Sequence, residues 1–174
     1  MRHSLVFLSL VVFCGLLILG SIIGDAIAQQ SRVAVRGSGA EIPRFMSLKS
    51  DEANMRIGPS FEHRIRYRYQ RRGYPVKVIA EFEYWRKIID HEGNTGWMHL
   101  SILSGKRMAM IRNNRSGLHR QANASSPLVA YAESGAILQL DSCSQGWCRV
   151  STPELRGWIS RDLIWGLKEG ERLD

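Results

Sequence analysis

An internal repeat constrains the fold of this chain more than any other feature. The stretch FMSLK at residues 45–49 aligns with MAMIR at residues 108–112, a spacing of 63. The same alignment pairs Trp85 with Trp147 at a spacing of 62, and Gly96-Trp97 with Gly157-Trp158 at a spacing of 61. Loops of different lengths produce small changes in spacing of this kind, so the sequence predicts two copies of one small unit.

These spacings set the expected domain boundaries. We expect a first unit at residues 42–103, a second at 106–167 and a C-terminal tail at 168–174. Residues 29–41 contain Gly37-Ser38-Gly39 and no apolar period, which predicts a flexible tether. A domain of about 60 residues buries only about 60% of the surface of its unfolded chain, so each unit gains from additional stabilisation.

Local patterns within each unit favour strands and turns. Residues 75–82 (PVKVIAEF) and 85–90 (WRKIID) combine alternating polarity with β-branched side chains, and the turn-forming cluster HEGNTG follows at 91–96. The second unit has a similar pair of segments at 136–140 and 147–150. Since no segment has a sustained helical period, we expect an all-β protein built from small antiparallel barrels.

The first 28 residues have the features of a secretory signal peptide. A short basic start precedes an apolar stretch from Leu5 to Ile23, and Ala26-Ile27-Ala28 supplies the small residues that signal peptidase recognises. We therefore expect cleavage after Ala28 and export to the periplasm or the cell exterior. The apolar stretch is 19 residues long, close to the ~20 that span a bilayer, so an uncleaved N-terminal membrane anchor facing the periplasm is the alternative.

The chain carries a formal net charge of +8. Excess positive charge either attracts acidic partners or only maintains solubility, and charge alone does not distinguish the two. Because export separates the protein from cytoplasmic nucleic acid, we expect no nucleic-acid partner and favour an anionic component of the cell envelope.

Cys143 and Cys148 are the two cysteines that remain after signal removal. An even pair in an exported protein is most simply a disulfide. The bond would link the two ends of a hairpin turn and close a loop of about six residues, which contributes about 2–3 kcal/mol. Two reduced core thiols are the alternative, and the four intervening residues exclude a Cys-x-x-Cys redox motif.

Several segments resemble a known family. They are NMRIGPS at 54–60, GYPVKVIAEFEYWRKI at 73–88, GNTGWMHLSIL at 93–103, CSQGWCRV at 143–150 and RGWISRDLIWG at 156–166. They resemble bacterial SH3 domains, in the tandem form found in exported proteins of alphaproteobacterial type. The resemblance implies two small five-stranded SH3-like β-barrels that bind cell-wall peptides or envelope proteins, or act as spacers, rather than catalyse a reaction. The second copy departs from the pattern because it lacks the Gly58-Pro59 turn.

The basic stretch RIRYRYQRRG at residues 64–73 is one candidate binding surface. Alternation along a strand puts Ile65, Tyr67 and Tyr69 on one face and the arginines on the other. A solvated outer strand explains this pattern, and so does a basic patch for carboxylates or phosphates, which guanidinium groups contact at two points. An aromatic platform beside a nearby turn is the second candidate. The candidate ligand-binding residues are Arg64, Arg66, Tyr67, Arg68, Arg71, Arg72, Tyr84 and Trp85.

The tryptophans divide into two groups. Trp85, Trp97, Trp147 and Trp158 recur at matching positions of the two copies, which argues first for packing within each barrel. Trp165 has no counterpart in the first copy, and we expect it to pack between the domains.

Patterns typical of enzymes are absent from the sequence. Histidines beyond the signal are isolated from one another, and Asp90-His91-Glu92 lies in a turn where adjacent side chains diverge. Neither a Gly-x-Ser-x-Gly motif nor a phosphate loop occurs. We therefore expect no catalysis, no metal and no cofactor. The sequence favours an exported binding or scaffolding protein whose partner is a cell-wall peptide or an envelope protein, and the alternative is an interaction or spacer module without wall binding.

Overall fold

Two β-sheets make up the described part of the protein. The computed structural model describes residues 37–174, so the expected signal peptide and most of the expected tether lie outside the described residues. Within residues 37–174, helical structure is limited to two 3-10 turns, Leu100–Ile102 and Arg161–Leu163, and the predicted all-β class is confirmed. A search of the same residues for a helix long and apolar enough to cross a membrane finds none.

The first domain is one antiparallel sheet of seven strands. They are β1 Arg44–Leu48, β2 Ala53–Arg56, β3 Ile65–Tyr69, β4 Pro75–Phe82, β5 Trp85–Ile89, β6 Thr95–His99 and β7 Leu103–Ser104. Their order across the sheet is β3-β2-β6-β5-β4-β1-β7, which leaves β3 at one edge.

The second domain repeats this arrangement. Its strands are β8 Met108–Ile111, β9 Ser116–His119, β10 Leu128–Ala132, β11 Ile137–Ser144, β12 Trp147–Ser151, β13 Arg156–Ser160 and β14 Ile164–Trp165. The order β10-β9-β13-β12-β11-β8-β14 equals that of the first domain when each strand is replaced by the strand seven places later. The two copies inferred from the sequence therefore share one topology.

Each sheet has seven strands where five were expected. The difference comes from short segments, since β7 and β14 contain two residues each and β2 and β9 contain four. Side-chain alternation over so few residues carries little signal, so such strands are difficult to find in a sequence.

The edge hairpins of the two domains have the same register. In the first domain Ala53 faces Tyr69, Asn54 faces Arg68, Met55 faces Tyr67 and Arg56 faces Ile65. In the second domain Ser116 faces Ala132, Gly117 faces Tyr131, Leu118 faces Ala130 and His119 faces Leu128. Positions in β3 and β10 can therefore be compared residue by residue, and Arg66 and Arg68 correspond to Val129 and Tyr131.

Each sheet curls around its own apolar core. In the first domain the core takes side chains from every strand except the edge strand β3, among them Leu48, Met55, Val78, Ile88, Met98 and Leu103, all 6% exposed or less. The second core includes Ile111, Leu118, Leu138, Val150, Ile159 and Ile164, and here the edge strand β10 also contributes, through Ala132. Burial of one face per strand explains why period-two patterns dominate the sequence.

The two domains pack against each other. Met110 of β8 belongs to the core of the first domain, and Ile137 and Trp165 pack against that core from the second domain. The Ser47 hydroxyl donates a hydrogen bond of 2.8 Å to the Lys106 carbonyl. The expected position of Trp165 between the domains is thus confirmed.

The predicted disulfide is present. Cys143 and Cys148 are cross-strand neighbours in β11 and β12, with Cα atoms 4.1 Å apart, and their sulfurs are bonded. Gln145 and Gly146 form the turn between them, with φ values of 48° and 84°. Two positive φ values suit the tight turns that match the twist of a β-hairpin.

Both ends of the described chain contact the domains. Ser38, in the segment expected to be a tether, donates hydrogen bonds to Glu81 through its backbone N–H and its hydroxyl. Burial of the Glu81 carboxyl favours its neutral form, but these hydrogen bonds, one from Arg44 and the charge of Arg86 prevail and lower the pKa of Glu81 to about 2. In the C-terminal segment, Leu173 forms a two-way backbone bridge with Cys143.

Candidate functional site

A cluster of aromatic rings lies on the first domain beside the β4–β5 turn. Trp85 begins β5 and His99 ends β6, and the antiparallel register places them opposite each other. Phe61, from the β2–β3 loop, packs onto both, with its ring centroid 4.9 Å from that of Trp85 and 5.1 Å from that of His99. Tyr84 lies farther out, with its ring 6.2 Å from His99. We call Phe61, Tyr84, Trp85 and His99 the aromatic cluster.

The aromatic cluster combines a buried ring with exposed ones. Trp85 is only 7% exposed, whereas Phe61 is 64% and Tyr84 is 69% exposed. A cleft of about 120 Å³ is lined by Phe61, Trp85 and His99, together with residues of β2 that include Arg56. Exposed rings around a cleft offer apolar surface and a π face to a ligand.

Polar groups beside these rings are held in defined positions. The Arg56 guanidinium lies 5.7 Å from the Phe61 ring centroid and donates a 2.6 Å hydrogen bond to the His63 carbonyl. His99 Nδ1 accepts from the backbone N–H of Ser101 at 3.3 Å and lies 2.7 Å from the Ser101 hydroxyl. The neutral His99 ring therefore carries its proton on Nε2, which is available to donate to a ligand.

Arg68 lies next to the aromatic cluster. It faces Asn54 across the β2–β3 hairpin and lines a cleft of about 290 Å³. Glu52, Ala53 and Asn54 line both this cleft and the one at the aromatic cluster. One arginine of the basic stretch thus lines a cleft that shares residues with the cleft at the aromatic cluster.

Arg66 and Tyr67 are attached to a different part of the domain. Arg66 donates a hydrogen bond of 3.2 Å to the Thr95 carbonyl, and the Tyr67 hydroxyl donates one of 2.9 Å to Asn94. Both acceptors are at the β5–β6 turn, at the opposite end of β5 from Trp85. These two side chains support that turn.

Arg71 and Arg72 lie at the β3–β4 turn, beside the second domain. Arg72 lines a cleft of about 320 Å³ together with Lys106 and Met108. The Arg71 Nη1 atom lies 3.6 Å from the point where a Cβ on Gly135 would stand. The candidate arginines are therefore spread along β3 and the β3–β4 turn and do not form one compact patch.

The positive charge of this edge is not neutralised by neighbouring carboxylates. Arg64, Arg66, Arg68, Arg71 and Arg72 are exposed, and none of them forms an ion pair within residues 37–174. Unpaired guanidinium groups remain free to contact an anion.

Asp90 organises the β5–β6 turn. Asp90 is 3% exposed. Its carboxylate accepts hydrogen bonds from the backbone N–H groups of Glu92 and Asn94 at 3.0 and 2.8 Å and from the Tyr69 hydroxyl at 2.9 Å. Burial, and then the Asp90 carboxylate, raise the pKa of Tyr69 above its ordinary value, so this hydroxyl stays protonated. In the part of the chain that the structure describes, no three His, Cys, Asp or Glu side chains are arranged to hold a metal ion.

The second domain has no equivalent aromatic cluster. The β2–β3 and β9–β10 loops have equal length, so Phe61 corresponds to Ala124, and the matching hairpins put Gly146 at the place of Tyr84 and Ser160 at the place of His99. Trp147 is retained, but His119 packs edge-on against it at 5.5 Å and donates through Nδ1 to the Ser126 carbonyl. Among the described residues, only the first domain has large exposed rings at this position.

Sequence reasoning identified Tyr84 and Trp85 but missed Phe61 and His99. Phe61 lies in the loop GPSFEHR, outside any alternation, where a large apolar residue would ordinarily be exposed without function. Its contact with Trp85 depends on how the loop folds back over the sheet. One difference between the copies could have indicated this site. The Gly-Pro loop of the first copy has an aromatic residue where the second copy has alanine.

Comparison with known families adds to this geometry. The sequence profile of the bacterial SH3 domain matches residues 49–105 and residues 113–166. The chain belongs to the bacterial SH3 domain family. The two matched ranges fall on the two sheets, so each sheet is one bacterial SH3 domain, a class of domain that generally binds partners without catalysing a reaction.

Solved structures similar to this chain are longer than it. NlpC2 from Trichomonas vaginalis is 11% identical, with a TM-score of 0.34, over 76% of this chain and 51% of that one. NlpC1 from Trichomonas vaginalis is 12% identical, with a TM-score of 0.33, over 74% and 47%. An NlpC/P60 family protein from Bacillus cereus ATCC 10987 is 12% identical, with a TM-score of 0.32, over 70% and 55%. The chain spans about half the length of these proteins. No curated protein matches the sequence significantly.

Proposed function

We propose that this protein is an exported, non-catalytic binding and scaffolding module whose first domain recognises an anionic component of the cell envelope, such as the carboxylate-bearing peptides of peptidoglycan. The observation that carries the proposal is the aromatic cluster next to an edge strand of arginines that form no ion pairs within residues 37–174. Aromatic faces and guanidinium groups together suit a ligand that has both apolar and anionic parts.

The two groups have separate roles in this mechanism. Phe61 and Tyr84 contact the apolar part of the ligand above the buried Trp85 ring. Arg68, next to the cluster, contacts a carboxylate, and Arg64 and Arg66 raise the local positive potential along β3. The affinity then depends on salt, because exposed charges are screened over about 10 Å at 0.1 M ionic strength.

Two features support export. The first 28 residues have the composition of a signal peptide, and the Cys143–Cys148 bond is of the kind that persists in oxidising compartments.

The second candidate function is a protein-interaction or spacer module that does not bind the wall, and one observation favours it. Strand β10 is a sheet edge that exposes Leu128, Val129 and Tyr131 by 45%, 44% and 54%. Edge strands usually carry charges that prevent pairing with other chains, as β3 does with its arginines. An apolar edge without such charges suits contact with a protein.

Co-sedimentation of residues 29–174 with isolated peptidoglycan sacculi tests the first candidate. The fraction pelleted should fall when salt is raised from about 50 to about 300 mM, which shortens the screening length from about 14 to about 6 Å. Replacing Arg64, Arg66 and Arg68 by Gln should lower pelleting most at about 50 mM salt, where exposed charges are screened least, and should weaken the salt dependence. The matched control replaces Arg120, Arg149 and Arg156 of the second domain by Gln, which removes the same charge from exposed positions.

A second pair of variants tests the aromatic cluster. Phe61→Ala should reduce pelleting at both salt concentrations, because the lost contact is apolar and is not screened. Tyr131→Ala removes an exposed ring from the second domain and should leave pelleting unchanged. If the wild-type protein stays in the supernatant at both salt concentrations, wall binding is wrong and the interaction or spacer function takes its place.

A further inference from the structure

Strand β10 is an edge of the second sheet, and within residues 37–174 no strand pairs with its outer side. It is the counterpart of β3, but its five residues, LVAYA, carry no charge, whereas β3, IRYRY, carries two arginines. The outer N–H and C=O groups of an edge strand can pair with a further strand, and charged side chains ordinarily prevent this. Strand β10 therefore lacks the protection that β3 has.

The exposed side chains of β10 are also apolar. Leu128, Val129 and Tyr131 are between 44% and 54% exposed. The Leu128 side chain lies across β9, with Cδ2 2.8 Å from the point where a Cβ on Gly117 would stand. The Tyr131 ring is contacted by Arg115, whose guanidinium carbon lies 5.2 Å from the ring centroid. Apolar surface beside the free backbone groups of a sheet edge is typical of a strand that pairs with another chain.

A second copy of β10 fits this edge. In an antiparallel pair centred on Ala130, the middle residue of the strand, Val129 of one copy faces Tyr131 of the other. Cross-strand pairs of an aromatic and a β-branched residue stabilise sheets. The same pairing between two copies of β3 would set Arg66 against Arg68, and like charges directly opposite each other are destabilising. Self-pairing thus suits β10 and does not suit β3.

The charges beyond the two ends of the strand complement each other in this arrangement. Pairing centred on Ala130 puts Glu133 of one copy beside Pro127 of the other. The Arg120 backbone N–H donates to the Pro127 carbonyl at 2.9 Å, so Arg120 lies one strand spacing farther away. The backbones of Glu133 and Arg120 are then about 10 Å apart, two strand spacings, which the two side chains can span. Both residues are exposed and form no ion pair within residues 37–174. A two-fold axis forms this contact twice.

We propose that β10 pairs with β10 of a second copy of this chain, antiparallel and centred on Ala130, to form a two-fold symmetric dimer. The sheet then continues from one second domain into the other. This inference rests on the second candidate function, which assigns β10 to protein contact, and it names the partner. A pair of five-residue strands is smaller than a standard interface, so the dimer is weak, with a Kd on the order of 100 µM. At low micromolar concentration the protein is then monomeric.

Sedimentation equilibrium of residues 29–174 between about 5 and about 500 µM measures this association. The wild type should change from monomer to dimer over that range. Tyr131→Arg should weaken the association at least about tenfold, because it introduces a charge into the paired edge. Ile57→Arg is the matched control, since it places the same charge at an exposed apolar residue of the first domain, and it should leave the association unchanged. A wild type that stays monomeric at the highest concentration, or equal weakening by both variants, would overturn the proposal.

An exchange of charges tests the antiparallel register. Glu133→Arg and Arg120→Glu each set like charges together in their own dimers, so at about 50 mM salt each variant alone should associate about fivefold more weakly than the wild type. An equal mixture of the two should recover the wild-type association, because unlike charges then meet at both ends of the strand pair. A parallel pair would place residue 133 beside residue 133, where reversing the charge weakens nothing. Single variants without a loss, or a mixture without recovery, would show that the register is wrong.

Amide hydrogen exchange locates the contact within the chain. The outer amides of β10 should exchange about threefold more slowly at about 500 µM than at about 5 µM, because pairing supplies them with acceptors. The amides of β3, the equivalent edge of the first domain, should exchange at the same rate at both concentrations. Unchanged exchange in β10, or equal slowing of both edges, would contradict self-pairing. Pelleting with sacculi reports on the first domain and exchange in β10 on the second, so failure of wall binding and failure of this proposal can be told apart.

Discussion

Trp165 of the second domain packs edge-on against Phe45 of the first, with ring centroids 5.2 Å apart and ring planes at 86°. At the matching place in the first domain, the end of β7, stands Ser104. The one tryptophan that breaks the repeat is therefore one of the residues that join the two copies. Divergence between copies, as well as similarity, carries structural information here.

A double-mutant cycle on this pair should give a measurable coupling. Phe45→Ala and Trp165→Ala should each destabilise the protein by about 3 kcal/mol, because each removes a large packed ring. The double variant should lose less than the sum, by about 1 kcal/mol, the usual excess for an aromatic pair. Guanidinium unfolding of the four proteins measures it, and strictly additive losses would show that the rings do not interact.

Much of the fold could be predicted from the sequence, because its signals are local or repeated. The alternation in residues 75–82 and 85–90 reflects one buried face per strand, and these residues form β4 and β5. Cys143 and Cys148 could be paired because they flank a short turn. Trp165 could be assigned to the junction because it is the tryptophan without a counterpart.

The candidate site was less predictable because its contacts are not local. Phe61 meets Trp85 only after the β2–β3 loop folds over the sheet, and no spacing rule describes that path. The basic stretch suggested one patch, whereas Arg68 on β3 lines the cleft next to the aromatic cluster and Arg71, in the turn after β3, lies beside the second domain. The charges could be predicted from the sequence, but the direction of each side chain depends on how the strands pair in the folded sheet.

Removal of the disulfide should lower stability without changing the fold. Replacing Cys143 and Cys148 by Ser should cost about 2–3 kcal/mol, since the bond restricts a short loop of the unfolded chain. Dithiothreitol should shift the unfolding midpoint of the wild type to that of the variant and leave the variant unaffected. A wild-type midpoint insensitive to the reductant, despite verified reduction, would contradict this account.

Stability should fall at alkaline pH because of Tyr69 and Tyr74. The folded state raises the pKa of both hydroxyls above their unfolded value of about 10, chiefly through burial. Their contribution is therefore fully present below about pH 10 and is lost as pH rises above it, by up to about 1.4 kcal/mol per pH unit for each tyrosine. Unfolding free energies measured at several pH values between about 8 and about 11 define the slope.

Phenylalanine variants assign that slope to particular residues. Tyr69→Phe should make the slope shallower above pH 10, although it also lowers stability near pH 8 by removing the hydrogen bond to Asp90. Tyr131→Phe alters a largely exposed ring and should leave the slope unchanged. Equal slopes in the wild type and Tyr69→Phe would mean that other groups cause the alkaline loss.

Arginines introduced into β10 test the equivalence of the two edge strands. Val129→Arg and Tyr131→Arg copy Arg66 and Arg68, and both side chains are exposed, so each change should alter stability by less than about 0.5 kcal/mol. Ala132→Arg is the matched control on the same strand. Ala132 is 8% exposed, so its replacement buries a charge and should cost several times more. Thermal unfolding compares the three variants, and comparable losses at positions 129, 131 and 132 would show that β10 does not have the register of β3.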